Sequence, residues 1–219
     1  MERMFRLFFF GLAFLICATP LVARADYFVW KDAKSGVSLS YPDTWRQINN
    51  YAPDDVLTIA APGNDQAQCR VRVRDDGRFK IYPQRYQAAV QREAYSLEFW
   101  NEYLASYHDV MLHEVTDGAG LGQAFASMVK ASYVTTHPMK NEIKTAIAAA
   151  GLYYDKAYIL DCSSLAPAFA KYYPAFLSIY KSVDMDKMFH ELPEGENRGM
   201  DKGPIVQMYD GSGRYLHQE

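Results

Sequence analysis

The chain has 219 residues, 23 basic against 26 acidic side chains for a formal net charge of −3, and 49% apolar residues. That is enough chain to build one domain around a real core. The mildly acidic balance argues against general nucleic-acid binding, whose affinity comes mostly from basic neutralisation of phosphates, while leaving room for a local basic patch.

Residues 1–25 read as an export signal. Arg3 and Arg6 form a positive start, Leu7 to Ala18 is an apolar run interrupted by Gly11, and Ala23-Arg24-Ala25 supplies a small-x-small cleavage pattern. Cleavage after Ala25 is expected, leaving a mature chain that is periplasmic or otherwise exported and has no stable membrane span. One alternative is an N-terminus that stays uncleaved as a membrane anchor, although the run is short of the roughly 20 apolar residues a bilayer span needs. Another is acylation at Cys17, where Ile16 is bulkier than such a signal wants. Removing Arg3, Arg6, Arg24 and Glu2 with the signal takes the net charge from −3 to −5.

Residues 26–185 hold all the strong periodicity. Tyr27 to Lys31 is a first strand, and Gly36 to Tyr41 a second with Val37, Leu39 and Tyr41 on one face. Pro42-Asp43 forces a turn and Trp45 restarts the chain in Thr44 to Ile48. Val56 to Ala60 is a short apolar strand ended by Pro62-Gly63-Asn64-Asp65. Gln68 to Arg74 alternates Cys69, Val71 and Val73 against Arg70, Arg72 and Arg74. From Gln84 to Tyr107 the period changes: Tyr86, Val90, Leu97, Trp100, Leu104 and Tyr107 make one helical stripe, with Pro83 ahead of it and a break near Ala94 to Ser96.

Strand signals return in Val110 to Val115, with a turn expected at Asp117-Gly118-Ala119-Gly120. Ala124 to Thr136 follows, then a turn over His137 to Asn141. Glu142 to Ala150 and Lys156 to Cys162 read as strands joined near Tyr154-Asp155. Ser163 or Ser164 is expected to cap a last helix whose stripe is Phe169, Tyr172, Tyr173, Phe176, Ile179, Tyr180 and Val183, kinked at Pro174. Residues 186–219 turn to Glu, Gly, Pro and Asn, which suits a disordered tail; Ile205 to Tyr209 and Arg214 to His217 could instead pair across Asp210-Gly211-Ser212-Gly213.

Strands, a helix, more strands and a closing helix describe an α+β domain. At Gly36-Val37-Ser38-Leu39-Ser40-Tyr41-Pro42-Asp43-Thr44-Trp45, and again from Ala157 to Ser164 and from Phe176 to Val183, the chain resembles the Mog1/PsbP-like family. The resemblance implies an α/β/α sandwich with a central antiparallel sheet. It also implies an adaptor rather than a reaction, since characterised relatives look like lumenal photosystem subunits, a cofactor of a small nuclear GTPase and secretion-associated chaperones. No partner-binding or metal-binding motif of those relatives occurs here, so none of their functional residues is carried over.

Three features carry candidate chemistry. Arg70, Arg72 and Arg74 share one strand face and could grip an acidic partner or a phosphate; the competing account is a solvated face neutralised by cross-strand acids, with Asp75 and Asp76 adjacent. With the signal gone, Cys69 and Cys162 are an even pair in an oxidising compartment and invite a disulfide, against two buried free thiols as the alternative. Tyr51, Tyr82, Tyr86, Tyr95, Tyr103, Tyr107, Tyr153 and Tyr154 flank the elements and leave room for an aromatic groove. His108, Asp109, His113 and Glu114 have a spacing that fits neither one helix face nor one strand face, so no metal site is expected, and no cofactor. There is no Gly-x-Ser-x-Gly elbow, and Gly118 to Gly122 lacks a phosphate-loop lysine. The expected role is therefore a non-enzymatic exported binding or assembly factor whose partner is another exported or envelope protein. A module binding a small anionic or apolar ligand in a helix–sheet cleft is the alternative, and a hydrolase of unrecognised geometry the third.

Overall fold

Period-two alternation sorts most of the mature sequence into strands with two distinct faces. The computed structural model describes residues 26–78, 86–137, 140–187, 208–209 and 215–216. β1 (Tyr27–Lys31) and β2 (Val37–Pro42) pair antiparallel and form a small sheet with β10 (Asp184–Met185) on the far side of β2. A large antiparallel sheet contains β3 (Arg46–Ile48), β4 (Asp55–Ala60), β5 (Gln68–Asp75), β6 (His108–Leu121), β7 (Ala124–His137), β8 (Lys140–Tyr153) and β9 (Lys156–Leu165). Its strand order is β3-β4-β5-β9-β8-β7-β6.

Among the described residues three helices cover it. α1 (Gln87–Ala94) and α2 (Leu97–Leu104) lie on one face, and α3 (Phe169–Ser182), with Pro174 inside it, lies on the other together with the small sheet. Helices on both sides of a central antiparallel sheet make this the α/β/α sandwich of a Mog1/PsbP-like fold.

The core under α3 gathers Leu39, Trp45, Leu57, Ile59, Leu160, Phe176 and Ile179. Here the Gly36 to Trp45 stretch does its structural work. Val37, Leu39 and Tyr41 are buried and Ser38 and Ser40 are not, as alternation requires. Trp45 N–H bonds the Pro42 carbonyl at 2.9 Å, and its indole stands edge-on to Tyr172 and Phe176 at 6.3 and 6.0 Å. Ser182 Oγ ties the end of α3 to the backbone of Ser40, accepting from its N–H at 2.9 Å and donating to its carbonyl at 3.0 Å.

The core under α1 and α2 is built differently. β8 presents Ala146, Ala148 and Ala150, small enough for Trp100 to lie close against the sheet, where its indole N–H donates to Ser127 Oγ at 2.9 Å. β8 and β9 are buried on both faces, which explains their nearly continuous apolar runs. Where the β7–β8 ladder ends at Ala126 and Gly151, buried Gln91 of α1 donates to the Ala150 carbonyl and accepts from Leu152 N–H at 2.9 and 2.6 Å. The helix break falls at Tyr95 and Ser96, within the expected interval.

Several local expectations give way. Asp117 to Gly120 does not turn: β6 runs on to Leu121, and Gly118 takes a φ of +124° as the extra residue of a bulge, leaving the turn to Gly122 and Gln123. Ser163 and Ser164 are buried in β9 and cap nothing; α3 is entered through a 3-10 turn at Ala166–Ala168. Leu97 leaves the helical stripe for solvent, because the break rotates α2 so that Trp100 and Leu104 face the sheet; Tyr86, just ahead of α1, is exposed as well. Farther along the chain, Met208–Tyr209 and Tyr215–Leu216 pair antiparallel. Pro83 and Tyr82 lie outside the described residues.

Candidate functional site

β5 sends Cys69 and Val71 into the core under α3, so Arg70, Arg72 and Arg74 must project from the other face, where α2 lies. Each guanidinium meets a carboxylate. Arg70 Nη2 lies 2.7 Å from Asp161 of β9, its register partner, and Arg72 Nε 2.8 Å from Asp55 of β4. Arg74 Nε lies 2.6 Å from Asp54. The first two pairs are buried, with arginine side chains 12% and 14% exposed, whereas Arg74 is 45% exposed. The acids that neutralise the arginine face are thus Asp54, Asp55 and Asp161. Asp75 and Asp76, the sequence neighbours, do not serve; Asp76 pairs instead with Arg78 at 2.5 Å.

Helix α2 closes over these pairs with tyrosines. Tyr103 donates its hydroxyl to Asp161 at 3.2 Å and takes the Arg72 guanidinium over its ring at 5.4 Å. Arg70 also donates to the Tyr107 hydroxyl at 3.3 Å, and Tyr107 stacks on Tyr133 at 4.1 Å. Burial opposes the Arg70 charge, but Asp161 together with Tyr103 and Tyr107 outweighs it and holds the guanidinium above its ordinary value. Burial also raises Tyr103 and Tyr133, with Asp161 adding to both, and lowers the Lys144 ammonium of the same layer against Asp161's opposing pull.

Beyond Arg72 the strand and helix diverge and leave an open cleft of about 760 Å³. One wall is the end of β5 and the turn after it, Arg72, Arg74, Asp75, Asp76 and Arg78; the other is the α1–α2 junction and the outer face of α2, including Glu93, Glu98, Phe99, Glu102 and Tyr103. At its inner end Tyr95 donates to Asp76 at 2.8 Å, and Arg78 lies over the Tyr95 ring at 5.3 Å. The Arg78 hydrogen bonds, against burial, draw Asp76 down to about 2.

The remaining candidates fall elsewhere. Cys69 and Cys162 face each other in register on β5 and β9 and are joined at 2.07 Å, on the opposite face from the cleft. Tyr95, Tyr103 and Tyr107 gather at the arginine face, Tyr153 belongs to the core under α3, and Tyr51 and Tyr86 are exposed. His108, Asp109, His113 and Glu114 are strung along edge strand β6, where His113 Nε2 bonds Ser132 Oγ at 2.7 Å. Two Ser-x-x-Lys spacings also occur. Ser127 to Lys130 lies on β7, where such positions point to opposite faces: Ser127 joins Trp100 and Asp117, while Lys130 sits over the Phe169 ring at 5.6 Å. Ser178, three residues before Lys181 in α3, bonds the Tyr27 hydroxyl at 3.3 Å. Sequence reasoning missed Asp161. Its signal was a lone carboxylate between Leu160 and Cys162 in an apolar strand.

The fold is the Mog1/PsbP-like α+β fold. No protein-family model and no curated protein matches the sequence. Solved structures do match. Cyanobacterial PsbP (CyanoP) from Synechocystis is 13% identical over 77% of this chain and 97% of that one, with a TM-score of 0.50. LpqN of Mycobacterium tuberculosis, described as involved in cell envelope biogenesis, is 15% identical over 73% and 90%, with a TM-score of 0.51. The Ran-binding protein Mog1p of Saccharomyces cerevisiae is 6% identical over 74% and 96%, with a TM-score of 0.47. At these identities the likeness is one of fold. Among the described residues no helix is long and apolar enough to cross a membrane.

Proposed function

We propose that the chain is an exported, non-enzymatic binding or assembly factor that engages another exported or envelope protein through the cleft between β5 and α2. The observation that carries this reading is the construction of the cleft. Each of its arginines is held by a carboxylate, and the Arg72–Asp55 pair is largely shielded from solvent, so the β5 wall is set before any partner arrives. The rim is open and polar, which suits a charged segment of a partner better than an apolar ligand. The N-terminal signal pattern supports export, and the involvement of LpqN in cell envelope biogenesis is compatible with that setting.

A small-ligand module is the second reading. The volume of about 760 Å³ favours it, since ligand sites commonly measure roughly 300–1,000 Å³.

Affinity capture of the mature chain from its own envelope fraction separates the two. A protein-contact role expects one partner recovered reproducibly with the wild-type chain and lost when Glu98 and Glu102 are both replaced by lysine. Repeated recovery of no protein, with a small molecule retained in the cleft, would establish the second reading instead.

A further inference from the structure

The charge left over in the cleft is negative. Arg72, Arg74 and Arg78 each carry an ion pair at 2.8, 2.6 and 2.5 Å and have no charge to spare. Four further carboxylates, Asp75, Glu93, Glu98 and Glu102, line the same cleft, and none makes an ion pair or hydrogen bond with another described residue. All four are exposed, so their charges are held in water at the rim. An anion entering here would have to displace a carboxylate from a guanidinium and approach four more.

The aromatic geometry points the same way. Glu98 and Glu102 stand one turn apart on α2, and Phe99 lies in the cleft wall between them in sequence. The Phe99 ring has Tyr95 edge-on at 4.7 Å and Tyr103 stacked at 5.8 Å. Carboxylates beside aromatic faces suit an ammonium or guanidinium group, which gains charge-assisted hydrogen bonds and cation–π contact together. The cleft already shows this chemistry internally, with Arg72 over Tyr103 and Arg78 over Tyr95.

We infer that the cleft receives a basic, lysine- or arginine-bearing segment of a protein partner, and not an anion. The inference rests on the binding role proposed above and names its partner chemistry. Complementarity of charge with a preformed acidic rim selects the occupant, and the open side lets a polypeptide lie across it.

The test uses the mature chain and a labelled short peptide of alternating lysine and serine, read by fluorescence anisotropy. Its glutamate–serine counterpart, inorganic phosphate and spermidine serve as competitors. The basic peptide is expected to bind, to weaken as salt rises, and to lose about tenfold in affinity in E98Q/E102Q, whose two exposed substitutions leave the thermal midpoint unchanged. A control with the distant exposed acids replaced, D43N/E114Q, is expected to bind as wild type. An equal loss in that control, competition by the acidic peptide or phosphate, spermidine competing as well as the peptide, or no change in E98Q/E102Q would each overturn the inference. Capture of an envelope partner that is indifferent to E98Q/E102Q would overturn the basic segment and leave the binding role standing. Peptide binding with no partner captured would do the reverse.

Discussion

A carboxylate in an apolar strand needs a counter-charge, and Asp161 obtains one from Arg70 at 2.7 Å with the Tyr103 hydroxyl as a second donor at 3.2 Å. Both ionic side chains are buried, 12% and 4% exposed, so either alone would be left uncompensated in a low-dielectric layer. Arg70→Met is therefore expected to cost about 3–5 kcal/mol, while Arg70→Met combined with Asp161→Leu recovers most of that loss, because apolar residues of similar volume replace a buried pair at little cost. Urea melts of the two single variants and the double variant check this. A double variant no more stable than the worse single one would show that the pair is not acting as a unit. Arg74, exposed and paired with Asp54, is expected to give less than about 1 kcal/mol by the same measurement.

At the scale of elements, the bond between Cys69 and Cys162 ties β5 to β9 at the middle of the sheet and closes a separation of 93 residues. On a chain-entropy model the crosslink contributes about 4–5 kcal/mol, so replacing both cysteines by alanine should lower stability by about that amount. Thiol labelling of the denatured, unreduced mature chain should add no label; two labels per chain would remove the crosslink. What could be read from sequence here was local. Alternation in Val37 to Tyr41 and Cys69 to Arg74, and the period change at α1 and α2, depend on which face each residue turns inward, and the strands formed accordingly. The partners of the arginines could not be read this way. Asp55 and Asp161 are 17 and 91 residues from Arg72 and Arg70, and only strand register brings them together. Asp117 to Gly120 misled for a related reason: a glycine after aspartate serves a turn or a bulge equally, and pairing with β7 decided for the bulge. Ser163 and Ser164 have the chemistry of helix caps, but β8 claims them as strand residues before the helix begins.

For the whole molecule, an export route makes a simple demand. Mass spectrometry of the chain from its native source should find it starting at Asp26, and a chain retaining Met1 would favour the anchored alternative. Alkaline stability follows from the tyrosines built into both cores. Burial raises Tyr95, Tyr103, Tyr133 and Tyr180 and pushes Tyr158 up to about 12. Their folded values lie above the ordinary value of about 10, so the stability they contribute is complete below about pH 10 and is lost as pH rises towards about 12. Their phenolate absorbance should emerge only together with loss of near-ultraviolet circular dichroism. Ionisation of every tyrosine in a chain that keeps its dichroism would contradict the burial. The central claim is that the cleft between β5 and α2 is where a partner protein docks. A photo-crosslinking residue in place of Ser106, on the cleft rim, tests it in the native envelope, with the same residue in place of Asp43 as the distant comparison. Docking at the cleft expects one discrete crosslinked protein from position 106 and none from position 43; no crosslink at 106, or the same products from both positions, would contradict it.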